Sequence, residues 1–182
     1  RGTFGAKKGP GTMALQDISL HIREGETVGL LGQNGSGKTT LLKIISTLIE
    51  PTSGKVLLNG VDTASDLKAA RRQMGLVTCD ERSFYWRLSG RENLEFFGAL
   101  YGLTQSEIAT RSAELFDVLD LAYAADRPFQ SYSSGMKQKL AIARGLLCNP
   151  RLILYDEPTR SLDALSASHI RTWLMENKKR HP

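Results

Sequence analysis

The sequence lacks any apolar run approaching the roughly 20 residues that a membrane-spanning helix needs. Its first residues show no pattern of charged, apolar and small-residue segments of the kind that marks a secretory signal. Cysteine is scarce: Cys79 and Cys148 are far apart and make no metal-ligand spacing. This excludes a zinc module or a disulfide framework and reads as two reduced thiols in a cytosolic protein. There is no internal repeat and no low-complexity segment. A strong charge of one sign is also missing. The net charge is only +5, and much of the excess sits at the two ends, on Arg1, Lys7, Lys8, Lys178, Lys179 and Arg180. That distribution reads as solvated tails, so no nucleic-acid partner is expected. What is present, 182 residues of which 41% are hydrophobic, suits one globular domain able to bury a core.

One stretch organises the rest: Gly32-Gln33-Asn34-Gly35-Ser36-Gly37-Lys38-Thr39-Thr40. It fits G-x-x-x-x-G-K-[ST], the pattern of a phosphate-binding loop. At average composition that pattern arises by chance in fewer than about one in a hundred chains of this length. Glycines let the backbone turn tightly and bring its N–H groups to an anion. A helix starting at the end of the loop adds its positive dipole end. Lys38 reaches the outer phosphates, and the Thr39 hydroxyl can hold Mg²⁺. Before the loop, Thr27-Val28-Gly29-Leu30-Leu31 reads as a buried strand. After it, Leu41, Leu42, Ile44, Ile45, Leu48 and Ile49 recur at helical spacing.

Along the chain, residues 1–12 are rich in glycine and lysine and read as loosely ordered. Ile18, Leu20 and Ile22 alternate with Ser19, His21 and Arg23, as in a half-buried strand. Residues 56–58 predict a short strand that ends at the Asn59-Gly60 turn, and Met74-Gly75-Leu76-Val77 predicts a buried one. Ser89 with Glu92 and Thr104 with Glu107 form capping-box patterns that open two helices. Leu94, Phe97 and Tyr101 line the first of these, and Ile108, Leu115 and Leu119 the second.

Ser133-Ser134-Gly135 precedes a third helix, whose face is Met136, Leu140, Ala143 and Leu147. Two hydroxyls and a glycine at a helix start make a second place for an anion, although serines there commonly do no more than cap. Leu152-Ile153-Leu154-Tyr155 then predicts a buried strand that ends in Asp156-Glu157. Strand ends of this kind are where α/β sheets bind ligands. Alongside a phosphate loop, Asp156 is the natural magnesium partner and Glu157 the natural activator of water.

In this order, phosphate loop, Ser-Ser-Gly, Leu-Ile-Leu-Tyr-Asp-Glu-Pro-Thr and Ser161-Leu162-Asp163, the chain resembles the ATP-binding domains of ABC transporters, from about Ala14 to its end. It looks most like the ATPase subunits of exporters with separate membrane subunits, such as those for polysaccharides or drugs. The resemblance implies an α/β fold: a P-loop NTPase core with an N-terminal antiparallel β subdomain (together residues 1–77), an inserted α-helical subdomain (78–148) and a return to the core (149–182). It implies ATP and Mg²⁺ as cofactors, with Gly32, Asn34, Gly35, Ser36, Gly37, Lys38, Thr39 and Thr40 around the phosphates. Thr39 and Asp156 would hold the metal, and Glu157 and Lys38 would be catalytic. Ser133, Ser134, Gly135 and Asp163 would complete the site of a second, head-to-tail subunit. Phe4 would stack on adenine. Phe84, Tyr85 and Trp86, three successive aromatics of which some are expected in the core, would help receive a membrane permease. The implied place is the cytoplasmic face of the cell membrane.

Three departures stand out. The signature keeps Ser133 and Gly135 but has Tyr132, Ser134 and Met136 at its other places. Where the family has a glutamine after the strand at 74–77, this chain reads Thr78-Cys79-Asp80-Glu81. The family's switch histidine has no match, since His169 falls on a helix and His181 in the tail. The expectation is therefore of a C-terminally truncated domain that binds ATP better than it hydrolyses it. Rival readings are a P-loop GTPase or small-molecule kinase, for which the base-reading Asn-Lys-x-Asp is missing, and a soluble ABC ATPase acting on ribosomes or DNA.

Overall fold

The computed structural model of the chain describes residues 3–7, 13–78, 83–156 and Thr172. They belong to two compact units, residues 1–71 and 72–182.

In the first unit, β1 (Thr3–Lys7) pairs antiparallel with β2 (Met13–Ser19), with Phe4 opposite Ile18. The glycine- and lysine-rich start is thus a strand over residues 3–7 rather than a loose tail. Register shifts between Phe4 and Ala6 and between Ala6 and Lys7 put extra residues into β2, and Asp17 there takes a left-handed φ of 50°. Such a bulge bends the strand locally. The alternation from Ile18 to Arg23 appears in the burial, with Ile18, Leu20 and Ile22 half-buried and Ser19, His21 and Arg23 exposed, but β2 ends at Ser19 and residues 20–23 are not strand, so the expected strand is real only at its start.

Helix α1 (Lys38–Ile45) buries Leu41, Ile44 and Ile45, each contributing about 2 kcal/mol by leaving water. The helical spacing predicts continuation to Ile49, but α1 stops at Ile45. Thr47 adopts φ 60°, its N–H reaches Ile44 O at 3.0 Å, and Leu48 N–H reaches Lys43 O at 2.9 Å. This pair of bonds is a Schellman stop. Its left-handed position is usually glycine, and here Arg71 holds Thr47 through Oγ1 at 2.9 Å and the carbonyl at 3.0 Å. Leu48 and Ile49 accordingly lie exposed. Strands β3 (Leu57–Leu58) and β4 (Val61–Asp62) form a hairpin across Asn59-Gly60, both at positive φ (52° and 81°), and α2 (Leu67–Arg72) follows.

The apolar run at 27–31 is not a buried strand. It has no ladder partner among the described residues, and Leu31 is 97% exposed. Apolarity alone does not make a strand: the backbone N–H and C=O groups need a neighbouring strand to pair with.

In the second unit, β5 (Met74–Thr78) pairs in parallel with β6 (Leu152–Asp156), in register from Met74–Leu152 to Thr78–Asp156. Both strands therefore end together, at Thr78 and Asp156. Between them run α3 (Gly90–Leu100), α4 (Gln105–Val118), two short 3-10 turns (Ala122–Ala124 and Phe129–Ser131) and α5 (Ser134–Leu146). Both predicted capping boxes are complete. Ser89 and Glu92, and Thr104 and Glu107, bond each other's backbone N–H groups. Gly102 at φ 78° follows α3, and the Arg72 guanidinium donates to the carbonyls of Tyr101 and Gly102 at 2.9 and 2.8 Å. The core gathers Val77, Leu94, Leu115, Phe116, Leu121, Phe129, Leu140, Ile142 and Leu147. Helix α5 runs through it, buried from Leu140 to Leu146. It lies against β5 so closely that a β-carbon on Gly75 would overlap the Gly145 carbonyl.

Candidate phosphate-binding site

The loop at 32–40 is built for an anion. Its residues are exposed or half-buried. Gly35 and Gly37 take φ 83° and 93°, a region side chains rarely adopt. Gly37 is glycine on a second count: its β-carbon would lie 2.6 Å from Leu15 Cδ2 and 2.9 Å from Ala14 O. Gly37 also caps α1 and brings no side chain to its first N–H groups. A helix leaves those groups without an intrahelical acceptor, so the loop meets the positive end of α1 unobstructed. Lys38 Nζ folds over the loop and donates to Gly32 O at 2.7 Å and Gln33 O at 2.8 Å, while Ser36 N donates back to Gln33 O at 3.2 Å. An ammonium with three protons held by two carbonyls has a third proton to offer. Gly32, Asn34 and Ser36 are exposed along this rim, and Thr40 is half-buried.

Fit to the phosphates of a nucleotide follows from that donor set. Concentrated backbone donors, a lysine and no carboxylate within residues 32–40 suit phosphate oxygens. Thr39 lies in the first turn of α1, directly after Lys38. Mg²⁺ takes few protein ligands and keeps several waters.

The second unit carries the other expected residues. Ser133 caps α5, its Oγ accepting from Met136 N at 3.3 Å, which is the ordinary role of a serine there. Ser133 and Ser134 are nonetheless exposed and Gly135 half-buried, so the start of α5 is open. Tyr132, the largest departure in this stretch, points inward. It is buried and donates to Ala124 O at 2.7 Å, and desolvation pushes its phenol up to about 12. The change from an aliphatic residue thus alters the support of the signature and leaves Ser133 and Gly135 open. Asp156 is half-buried at the end of β6. Glu157 and Asp163 lie outside the described residues, as do Cys79, Asp80 and Glu81. Phe4 is placed by its backbone in β1 only.

The three aromatics divide. Phe84 is 5% exposed and stacks on Phe129 at 4.8 Å, so it belongs to the core rather than to a surface. Tyr85 and Trp86 are nearly half exposed, and Tyr85 meets Phe96 edge-on at 4.7 Å. Trp86 lies under Lys137, whose Nζ is 4.7 Å from the ring centre.

Two residues that motif reading passes over hold this region. Asn93 is fully buried. Its Oδ1 accepts from Tyr85 N at 2.9 Å, and its Nδ2 donates to Tyr85 O at 3.0 Å and Ser89 O at 2.9 Å. Arg144 is 7% exposed in the middle of α5. Both could have been found as polar residues lying within an apolar helical stripe, a place that demands partners.

Comparison with known proteins gives the same assignment as these features. A family model described as ABC transporter matches residues 15–160. The ABC transporter ATP-binding protein NatA of Bacillus subtilis is 40% identical over 166 residues, covering 91% of this chain and 68% of NatA. The doxorubicin resistance ATP-binding protein DrrA of Mycobacterium tuberculosis is 40% identical over 179 residues, covering 98% of this chain and 53% of DrrA. This chain thus spans between about half and two thirds of these relatives. Among solved structures, the dimeric post-hydrolysis state of the ATP-binding cassette MJ0796 bound to ADP and Pi superposes with a TM-score of 0.83 at 31% identity, over 98% of this chain and 81% of that one. With a glycine-capped phosphate loop and a family match over residues 15–160, the chain belongs to the ABC transporter family, as an α/β ATP-binding cassette.

Proposed function

We propose that this cassette is the ATP-hydrolysing part of an exporter, working as one of two subunits that share their nucleotides. The observation that carries this is the start of α1: a left-handed glycine cap, with Lys38 Nζ poised on two carbonyls. ATP binds with its phosphates on the loop, where the N–H groups and Lys38 balance their charge. Water attacks the γ-phosphorus in line, and the bond to the β,γ-bridging oxygen breaks, leaving ADP and phosphate. Glu157 takes the proton of the attacking water. Thr39 and, directly or through water, Asp156 would hold Mg²⁺, which would supply positive charge to the phosphates.

The partner subunit's phosphates would meet the open start of α5, where Ser133, Ser134 and Gly135 offer donors, and Asp163 is assigned to the same shared site by the family resemblance alone. A relative solved as a dimer supports this pairing, and a relative named for drug resistance supports export as its direction. No helix among the described residues is long and apolar enough to cross a membrane. Tyr85 and Trp86, both nearly half exposed, are the proposed contact with a membrane permease on the cytoplasmic face.

The test is Glu157→Gln in the full-length subunit. Turnover should fall by about 100-fold or more, while ATP binding by the variant matches wild type. Near-normal hydrolysis would overturn the role of Glu157.

A further inference from the structure

A cavity of about 330 Å³ opens between the first half of α4 and the C-terminal end of α5. That volume lies at the lower end of the range for small-molecule sites, about 300–1,000 Å³. Its walls differ in chemistry. Leu103 and Leu147 are apolar, and burial pushes the neighbouring Cys148 thiol up to about 11, so it is neutral there. Ser106 and Thr110 stand exposed at the mouth. Arg111 supplies the charge. Its Nη2 donates to Leu146 O at 3.2 Å, a carbonyl that Asn149 N also reaches at 3.0 Å. One side of the guanidinium is thereby tied to the end of α5. Its Nη1 meets Glu114 at 2.7 Å, and that carboxylate is 52% exposed. Its Nε is buried and has no hydrogen-bond partner among the described residues.

The charges around the cavity favour an anion. Arg111 and Arg72, the latter bound to the Tyr101 and Gly102 carbonyls, both act on the Cys148 thiol, opposed by the Glu107 carboxylate. Glu107 is already committed to its capping box with Thr104. The local field is therefore positive. The Arg111–Glu114 pair spans three residues with a half-exposed acid, an ion pair that contributes little and exchanges readily. A lysine could reach Leu146 O and Glu114 without burying an unpaired N–H, which destabilises the fold. What a lysine lacks is the planar edge that takes a carboxylate by two parallel bonds. We propose that this cavity binds a small organic acid with an apolar body. Its carboxylate takes the outer edge of Arg111 in place of Glu114, and its body lies on Leu103 and Leu147. The site shares no residue with the phosphate loop or the start of α5, and the proposal does not depend on the ATPase reading.

The experiment uses the full-length subunit with octanoate as the probe, and octanol and octylamine as comparators of the same chain length. Calorimetry reads affinity. Alkylation of Cys148 at about pH 9, where part of the thiol ionises, reads occupancy of this cavity once the labelled peptide is identified by mass spectrometry. Octanoate should bind with a Kd of about 1 mM or below, as suits a ligand of that size. It should slow Cys148 labelling with half its effect near the same concentration. Octanol should bind about tenfold more weakly, having no charge for Arg111 to meet. Octylamine should give no protection.

Arg111→Met should bring octanoate down to the level of octanol, and Arg111→Lys should fall between that level and wild type, since it keeps the charge and loses the fork. Glu114→Gln should bind octanoate at least as tightly as wild type, because it releases the outer edge of Arg111. Thr110→Phe, at an exposed position of α4, should fill the mouth and abolish protection by acid and alcohol alike. Unprotected Cys148 with octanoate at about 20 mM, well above the expected Kd, would overturn the proposal. Equal affinity for acid and alcohol would do the same, as would wild-type affinity in Arg111→Met. Calorimetric binding that leaves Cys148 labelling unchanged would put the acid elsewhere on the protein and overturn it equally. Should Arg111→Met fail to fold, Arg111→Lys and Glu114→Gln decide: wild-type affinity in the first, or weakened binding in the second, counts against Arg111 as the receptor.

Discussion

The Tyr132 hydroxyl occupies the space that a β-carbon on Gly90 would need, and from there it donates to Ala124 O at 2.7 Å. The residue that precedes the signature serine is thereby pinned against the first turn of α3. Gly90→Ala puts two effects in opposition. Alanine is a better helix former by about 1 kcal/mol. Displacing the tyrosine costs its buried hydrogen bond, about 1 kcal/mol, and overpacking adds about 1–3 kcal/mol. The expected net result is a loss of about 1–3 kcal/mol in urea denaturation. In a Tyr132→Phe background the loss from Gly90→Ala should shrink, because the nearest remaining ring carbon lies at 3.0 Å from the new β-carbon. A Gly90→Ala variant more stable than wild type would show that the pocket has slack.

Gly35 and Gly37 provide a matched pair in the phosphate loop. Both have positive φ, so alanine at either carries backbone strain of about 1 kcal/mol or more. Only at Gly37 does a β-carbon also strike Leu15 and the Ala14 carbonyl; at Gly35 nothing lies within 4 Å. Gly37→Ala should therefore destabilise by at least about 2 kcal/mol, strain and overpacking together. It should also weaken ATP binding more than tenfold, because the cap that exposes the first N–H groups of α1 is displaced. Gly35→Ala should cost about half as much stability. Thermal melts with a fluorescent-nucleotide titration distinguish the two, and equal losses would mean that strain alone decides.

What the sequence makes legible follows the range of the interaction. The boxes at Ser89–Glu92 and Thr104–Glu107 close within three residues, and both form as read. The parallel strands at 74–78 and 152–156 were readable as apolar runs bounded by turn residues. Residues 27–31 share that composition, but pairing depends on distant chain, which no local pattern reports. The end of α1 at Ile45 depends on Thr47, a residue whose type disfavours the left-handed turn it makes, with Arg71 beside it from 24 residues away. Phe84, Tyr85 and Trp86 are adjacent in sequence and separate in space because Asn93 fixes the backbone at Tyr85. The phosphate loop was legible because its chemistry is carried by nine consecutive residues. Arg144 was not, because its partner Ser83 is 61 positions distant.

Asn93→Leu keeps most of the side-chain volume but removes the acceptor for Tyr85 N–H and the donor to the Tyr85 and Ser89 carbonyls. Leaving buried backbone groups unsatisfied costs about 1–3 kcal/mol each before any relaxation. A loss of about 2–4 kcal/mol is expected in denaturation. Because Trp86 follows Tyr85 directly, its emission should shift to the red as the segment loosens. Placing wild type and Asn93→Leu in a Trp173→Phe background isolates that signal from the second tryptophan. Unchanged emission together with wild-type stability would remove Asn93 from its role in presenting Tyr85 and Trp86.

Acid sensitivity should come in part from the two capping boxes. The Ser89 backbone N–H and then its hydroxyl hold the Glu92 carboxyl below its ordinary value of 4.5, and Thr104 does the same for Glu107. A carboxylate with a lowered folded-state pKa stabilises above its unfolded value, and that contribution is lost as pH falls through the folded one. Stability should therefore decline as pH drops below 4.5, with α3 and α4 fraying from their first turns. Glutamine keeps an oxygen acceptor for the box but does not titrate. Glu92→Gln/Glu107→Gln should thus be less stable than wild type at neutral pH and show a shallower decline below pH 4.5. At the alkaline end the sign reverses. Burial raises Tyr132 and Tyr155 from 10 to about 12, so their neutral forms are favoured in the fold and stability falls as pH rises from 10 toward 12. Urea midpoints measured across both ranges test the two limbs separately. An acid limb that the glutamine pair leaves unchanged would assign that loss to carboxylates outside the boxes.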